Sequence, residues 1–118
     1  MRDIDAIYYN DFGIAFHWKK ETKNYRSKIQ VVFRDTGFLL THKELIRFAE
    51  HVQNTMNSNA VCSCCAKKKS CRAMLLETPV PQVSLAVSVN ELTAINDLIE
   101  GTIFQLNIDN FLSDICNN

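Results

Sequence analysis

Thiols are crowded into one short stretch of this chain. Four of its five cysteines fall within ten residues, at Cys62, Cys64, Cys65 and Cys71. Three consecutive lysines and an arginine lie between or beside them. Thiolates bind soft metals and take part in redox chemistry, and neighbouring positive charge lowers the pKa of a thiol. This stretch is therefore the first candidate for a functional site.

A structural zinc site is the interpretation that we favour for this stretch. Zinc takes four tetrahedral nitrogen or sulfur ligands, and the clustered thiols of Cys62, Cys64, Cys65 and Cys71 supply that number, with His51 as an alternative fourth ligand. The nearby lysines would offset the negative charge of the thiolates. The spacing Cys-x-Cys-Cys-x5-Cys differs, however, from the paired Cys-x2-Cys pattern of zinc ribbons.

Three other interpretations of the cysteines stay open. Cys62 and Cys65 form a Cys-x-x-Cys pair, so the protein could be a thiol redox protein. Thioredoxin-like pairs, however, stand at a helix N-terminus within a βαβ unit, which this pattern does not indicate. An iron–sulfur cluster would use a different spacing. The remaining interpretation is a reduced loop without any ligand.

Other signatures of chemistry are missing from the sequence. It contains no Ser/His/Asp arrangement, His-Glu-x-x-His motif or phosphate-binding loop, and only three glycines. The lysine run lacks the interleaved aromatic residues that nucleic-acid binding favours, so we do not expect a nucleic-acid partner. The sequence leaves enzymatic activity undecided and favours a non-enzymatic role.

Composition points to one soluble domain. The 118 residues are 47% hydrophobic and 22% charged, with a formal net charge of zero. The charged start has no apolar region after it, and no apolar run is as long as a membrane span. With an odd number of cysteines, these features predict a cytoplasmic protein that does not enter a membrane.

Two segments 47 residues apart resemble each other and predict a repeated unit. Thr41 and Glu44 form one capping box, and Ser88 and Glu91 form another. Alternating apolar residues precede each box and predict two strands, so each unit reads strand–turn–strand–helix. The turn in the first unit contains Gly37, which can adopt positive φ.

Each capping box is followed by an apolar stripe with helical spacing. The first stripe comprises Leu45, Phe48, Ala49, Val52 and Met56; the second comprises Leu92, Ile95, Ile99, Ile103 and Leu106. Gly101 lies inside the second helix, where it predicts either a close backbone approach or an early helix end. Apolar residues from Ile108 onward predict a separate short helix.

An aromatic hairpin precedes the units. Ile4, Ala6 and Tyr8 alternate, Asn10-Asp11 is a turn signal, and a second alternating run follows: Phe12, Ile14, Phe16 and Trp18. We therefore expect an α+β fold, with an antiparallel sheet built from this hairpin and two ββα units, a pseudo-twofold repeat, and helices on one face.

The predicted single domain, 1–118, divides into five parts. These are the hairpin and linker (1–27), the first ββα unit (28–56), the Cys/Lys-rich connection (57–73), the second unit (74–107) and a short C-terminal helix (108–118).

The doubled pattern also resembles a known group of proteins. The two strand–capping-box–helix segments, the cysteine-rich connection and Thr78-Pro79 before the second unit are similar to a family of small uncharacterised proteins, with a domain of unknown function, from Bacteroidetes. The resemblance covers residues 29 to about 106. It supports the fold and implies no activity.

The sequence thus predicts a small cytoplasmic, non-enzymatic protein-interaction module with zinc in its Cys-rich loop. Its partner would be another protein or a second copy, because the aromatic hairpin offers an apolar face and an edge strand for self-association. The alternative is a thiol redox protein that uses the same cysteines.

Overall fold

A computed structural model describes residues 4–19, 28–58, 71–72 and 74–116, with side chains up to residue 112. These residues form strands and helices in the order β1 (Ile4–Tyr9), β2 (Gly13–Trp18), β3 (Ile29–Phe33), β4 (Thr36–Leu40), α1 (His42–Asn57), β5 (Met74–Glu77), β6 (Ser84–Val87) and α2 (Val89–Cys116). The α+β class expected from the sequence is confirmed.

The strands divide between two antiparallel sheets. One sheet has the order β1-β2-β3-β4, and β5 pairs only with β6 among the described strands. The sequence predicted a single sheet. It is divided because the hairpin of the second unit pairs within itself rather than with the first. The internal repeat and its pseudo-twofold axis therefore stay predictions.

Both predicted capping boxes are confirmed. The Glu44 amide donates to Thr41 Oγ1 at 3.2 Å, and the Thr41 amide donates to Glu44 Oε1 at 2.9 Å. The Glu91 amide donates to Ser88 Oγ at 3.1 Å, and the Ser88 amide donates to Glu91 Oε1 at 2.9 Å. Each box satisfies two amides that a bare helix end would leave without partners, so the sequence fixes where both helices begin.

The helices cover one face of the four-stranded sheet. Buried and partly buried residues alternate along β3, as a strand between a core and an outer surface requires. The aromatic ring of Phe38 on β4 meets that of Phe48 on α1 edge-on, with 5.5 Å between centroids. Both predicted helical stripes lie in the same core, except that Met56 is 42% exposed and Ile103 is only partly buried.

Helix α2 is longer than the sequence predicted. It runs without a break from Val89 to Cys116, so the separate C-terminal helix expected over 108–118 is part of α2. Gly101 does not end the helix. The last buried residue is Leu106, and the described side chains after it are at least partly exposed. No helix within the described ranges is both long and apolar enough to span a bilayer.

The β3–β4 loop uses a different residue from the one predicted. Arg34 has a φ of 54°, whereas no glycine in the described ranges has positive φ. Gly37 instead lies within β4, opposite Val32. The loop is only the two residues Arg34 and Asp35, because Phe33 pairs with Thr36. A positive φ at the first loop position matches the right-handed twist of the flanking strands.

Candidate interaction surfaces and the cysteine-rich connection

The predicted metal ligands fall mostly outside the described residues. This applies to Cys62, Cys64 and Cys65, so the zinc hypothesis at these positions stays a prediction. Cys71 is described; it is half-buried and forms no disulfide there. Among the described side chains, no three His, Cys, Asp or Glu residues come together in a way that could hold a metal ion.

His51 and Cys71 lie on the two sides of the cysteine-rich connection. His51 is half-buried near the end of α1, where it lines an open cleft of about 460 Å³ together with Ser58 and Met74. Cys71 is three residues before Met74, so its Cα lies within about 11 Å of Met74 Cα. His51 therefore lines this cleft, and Cys71 lies a short stretch of chain away from Met74, another of its lining residues.

Arg72 attaches the end of the connection to helix α2. Its guanidinium donates to the Glu91 carboxylate from Nε at 3.0 Å and from Nη2 at 2.8 Å. Arg34 reaches the same carboxylate at 3.4 Å. The hydrogen bonds from Arg72 lower the pKa of Glu91 below its usual value, although partial burial opposes them. Glu91 thus joins the connection, the β3–β4 hairpin and its own capping box.

A β-bulge in β1 turns Tyr8 toward helix α2. Ala6 pairs with Phe16, but Tyr8 pairs with Ala15, so Ile7 is an extra residue. The sequence placed Ile4, Ala6 and Tyr8 on one face. The bulge moves Tyr8 to the helix-covered face and leaves Tyr9 on the opposite face, 70% exposed.

Polar contacts hold the β1–β2 hairpin against α2. Tyr8 Oη donates to the Asp97 carboxylate at 3.1 Å, and Asn10 Nδ2 donates to the same carboxylate at 2.9 Å and to the Ala94 carbonyl at 3.1 Å. The hydrogen bond to Asp97 raises the pKa of Tyr8 because it stabilises the neutral phenol. Asn10 Oδ1 also accepts from the amides of the turn, Phe12 and Gly13. Every polar group here has a partner, so the cluster positions the hairpin.

The sheet face opposite the helices is largely apolar, and its described strand positions include no charged residue. Strand pairing and alternation place on it one shared set of residues: Ile4, Ala6, Tyr9, Ile14, Phe16, Trp18, Gln30, Val32, Gly37 and Leu39. We call this set the outer sheet face. Gln30, its amide-bearing member, accepts a hydrogen bond from Trp18 Nε1 at 3.1 Å. The Phe16 and Trp18 rings pack edge to face with centroids 5.0 Å apart.

The outer sheet face was only partly foreseen. The apolar hairpin face was predicted from the alternation of Phe12, Ile14, Phe16 and Trp18, which is confirmed for the last three. Phe12 instead precedes β2, and its ring stacks on Phe33 in contact with the core. The contribution of Val32 and Leu39 from β3 and β4 was missed. Its signal was available, because Leu39 lies between the inward-facing Phe38 and Leu40 and breaks the apolar–polar alternation of a strand with one wet face.

No protein-family model, curated protein or solved structure matched this chain when we compared them. The resemblance to small Bacteroidetes proteins therefore stays a prediction.

Proposed function

We propose that this protein is a non-enzymatic interaction module that forms a homodimer through the outer sheet face. The single observation that carries the proposal is that one face of the sheet is covered by helices while the other is apolar and uncharged. Leu39 on this face is 37% exposed and Tyr9 is 70% exposed. Phe16, between them, is only 7% exposed, so the exposed apolar side chains lie toward the edge strands β1 and β4. Exposed apolar surface on a sheet marks interaction sites.

A second copy is the occupant that the chemistry of this face favours. A twofold interface brings the same patch of each copy together, so any charge on the patch would meet its like. The outer sheet face has no charged member at its paired positions. Its aromatic residues Tyr9 and Trp18 also suit packing of one sheet on another.

The size of the face predicts a weak dimer. Four strands about 4.8 Å apart, with about five residues of about 3.3 Å each, make a face of roughly 19 Å by 17 Å. A standard interface buries about 800 Å² on each partner. The outer sheet face is smaller, so we expect a dimer with a dissociation constant in the micromolar range.

Sedimentation equilibrium over a concentration series tests the proposal. Wild-type protein should pass from monomer to dimer, and Leu39→Lys should weaken the dimer at least ~10-fold, because two lysines would be desolvated in one interface. The side chain of Leu39 is on an edge strand, where lysine is tolerated. Leu75→Lys is the matched control, because Leu75 lies on the other sheet and is 70% exposed.

Two results would overturn the homodimer. One is a wild-type protein that stays monomeric at millimolar concentration. The other is a dimer that Leu39→Lys leaves intact while its circular dichroism shows a native fold.

The proposal also includes a structural zinc ion in the cysteine-rich connection. Its support is the close spacing of the four clustered cysteines, with His51 in a cleft near the start of the connection and Cys71 near the end of it. Elemental analysis of protein purified without added metal should find about one zinc per chain, and Cys71→Ser should lose it. A metal-free protein with one fast-reacting thiol would instead support the redox alternative.

A further inference from the structure

Helix α2 carries a second stripe on the side away from its core stripe. The stripe follows the alternating three- and four-residue spacing that keeps residues on one helical face: positions 94, 97, 101, 104, 108, 111 and 115. The core residues Leu92, Ile95 and Ile99 occupy the opposite side. Helix α2 therefore has two faces suited to contact, the core face and this second stripe.

The N-terminal half of this second stripe already has a partner. Asn10 binds Ala94 and Asp97, and the ring of Tyr8 lies against the backbone of Gly101. The β1–β2 hairpin thus contacts the stripe as far as Gly101.

The C-terminal half is apolar and exposed. Phe104 is 66% exposed, Phe111 is 65% exposed and Leu112, which adjoins the stripe, is 51% exposed. Ile108, between them, is partly buried. We call these four residues the open stripe. Because the helix continues past its last core residue, Leu106, three of the four residues lie beyond the segment that packs in the core: Ile108, Phe111 and Leu112.

The charge around the open stripe has one sign. Helix α2 contains no lysine or arginine and five carboxylates. Glu91 and Asp97 lie in its N-terminal half and already have partners, so the carboxylates nearest the open stripe along the helix are Glu100, Asp109 and Asp114. Asp109 and Asp114 fall in the last turns, where the helix dipole is already negative and basic residues would be favourable. The isolated helix end is therefore electrostatically incomplete, and positive charge would stabilise it.

We propose that the open stripe binds an amphipathic helix of another protein whose polar side is basic. Such a helix would place its apolar residues against Phe104, Ile108 and Phe111 and its lysines or arginines near the carboxylates. A second copy fits poorly here, because two such helix ends would bring like charges together. The site is separate from the outer sheet face and goes beyond the homodimer.

Synthetic peptide helices provide the probes. One 18-residue peptide has leucine along one side and lysine along the other, and its matched counterpart has glutamate in place of lysine. Fluorescence anisotropy should show the lysine peptide binding at least ~10-fold more tightly, with affinity that falls as salt rises. Phe111→Ser should weaken this binding by ~10-fold or more, whereas Leu75→Ser, an equally exposed apolar site on β5, should change it less than about twofold.

Two further variants separate loss of peptide binding from loss of folding and from loss of the homodimer. Asp109→Lys with Asp114→Lys should weaken the lysine peptide while leaving the helix content unchanged by circular dichroism. Leu39→Lys, even when monomeric, should bind the peptide like wild type. Equal binding of both peptides, equal losses in Phe111→Ser and Leu75→Ser, or dissociation of a homodimer by Phe111→Ser would each overturn the proposal.

Discussion

Gly101 and Tyr8 are the residue pair that sets the distance between the first strand and the second helix. A Cβ at position 101 would overlap the ring of Tyr8. That ring cannot easily move aside, because Tyr8 Oη donates to both oxygens of Asp97 at 3.1 Å. Glycine at this position costs up to ~1 kcal/mol of helix stability relative to alanine, but it leaves the space that the Tyr8 ring occupies.

Gly101→Ala should lower the free energy of unfolding by about 1–3 kcal/mol, because the overlap outweighs the better helix propensity of alanine. Urea denaturation measures the change. In the background of Tyr8→Ala, where the ring is gone, the same substitution should be neutral or stabilising. Equal destabilisation in both backgrounds would show that the ring is not the cause.

The sequence predicted the role of Gly101 but not its contact with Tyr8. A glycine inside an apolar helical stripe indicated either a close approach or a helix end, and the close approach is confirmed. Its partner could not be predicted, because Tyr8 faces the helix only through the bulge at Ile7. No residue type at Ile7 marks a bulge, and the alternation of β1 predicted the opposite face for Tyr8.

The capping glutamate of α2 makes more described polar contacts than the capping glutamate of α1. Glu91 closes the capping box and also binds Arg72 and Arg34. Glu44, the corresponding residue of α1, closes its box, and the described ion pairs do not include it. The two boxes therefore separate the effect of capping from the effect of the added arginines.

Glu91→Gln should destabilise the protein by about 1 kcal/mol at pH 7, because glutamine loses the ionic contacts with Arg72 and Arg34 as well as the negative charge at the helix N-terminus. The folded-state pKa of Glu91 is lowered from its ordinary value of 4.5, so its contribution is present above that value and is lost as the pH falls through the lower folded pKa. The difference between variant and wild type should thus shrink below about pH 4.5. Urea titrations across pH 3 to 7 measure it.

Glu44→Gln serves as the matched control and should show a smaller difference at pH 7. If both variants lose the same stability with the same pH dependence, Arg72 and Arg34 contribute nothing beyond the capping box.

Element starts could be predicted from the sequence, but partners of elements could not. A capping box joins two residues only three positions apart, so its sequence pattern nearly determines its contacts. The division into two sheets depends on which hairpin pairs with which across more than 30 residues, and apolar alternation has no information on that choice. The end of α2 was missed because the polar residues Asn107, Asp109 and Asn110 look like a break, whereas they are exposed positions on one continuous helix.

The described residues form a helix-covered sheet with two further apolar surfaces, the outer sheet face and the open stripe. The core stripes and the inward faces of β3 and β4 were predictable, because burial on one side imposes a clear period. The outer sheet face and the open stripe were harder to predict, because apolar residues on an uncovered surface follow the same periods as a core. The four clustered cysteines remain the strongest chemical signal in the sequence, and three of them lie outside the described residues.

The most direct test of the homodimer is an isotope-filtered NOE experiment on a mixture of labelled and unlabelled protein at millimolar concentration. The homodimer predicts intermolecular contacts from the Leu39 methyl groups and the Trp18 ring to residues of the same face in the other copy. Intermolecular contacts confined to Phe104 and Phe111, or none to the outer sheet face, would contradict it.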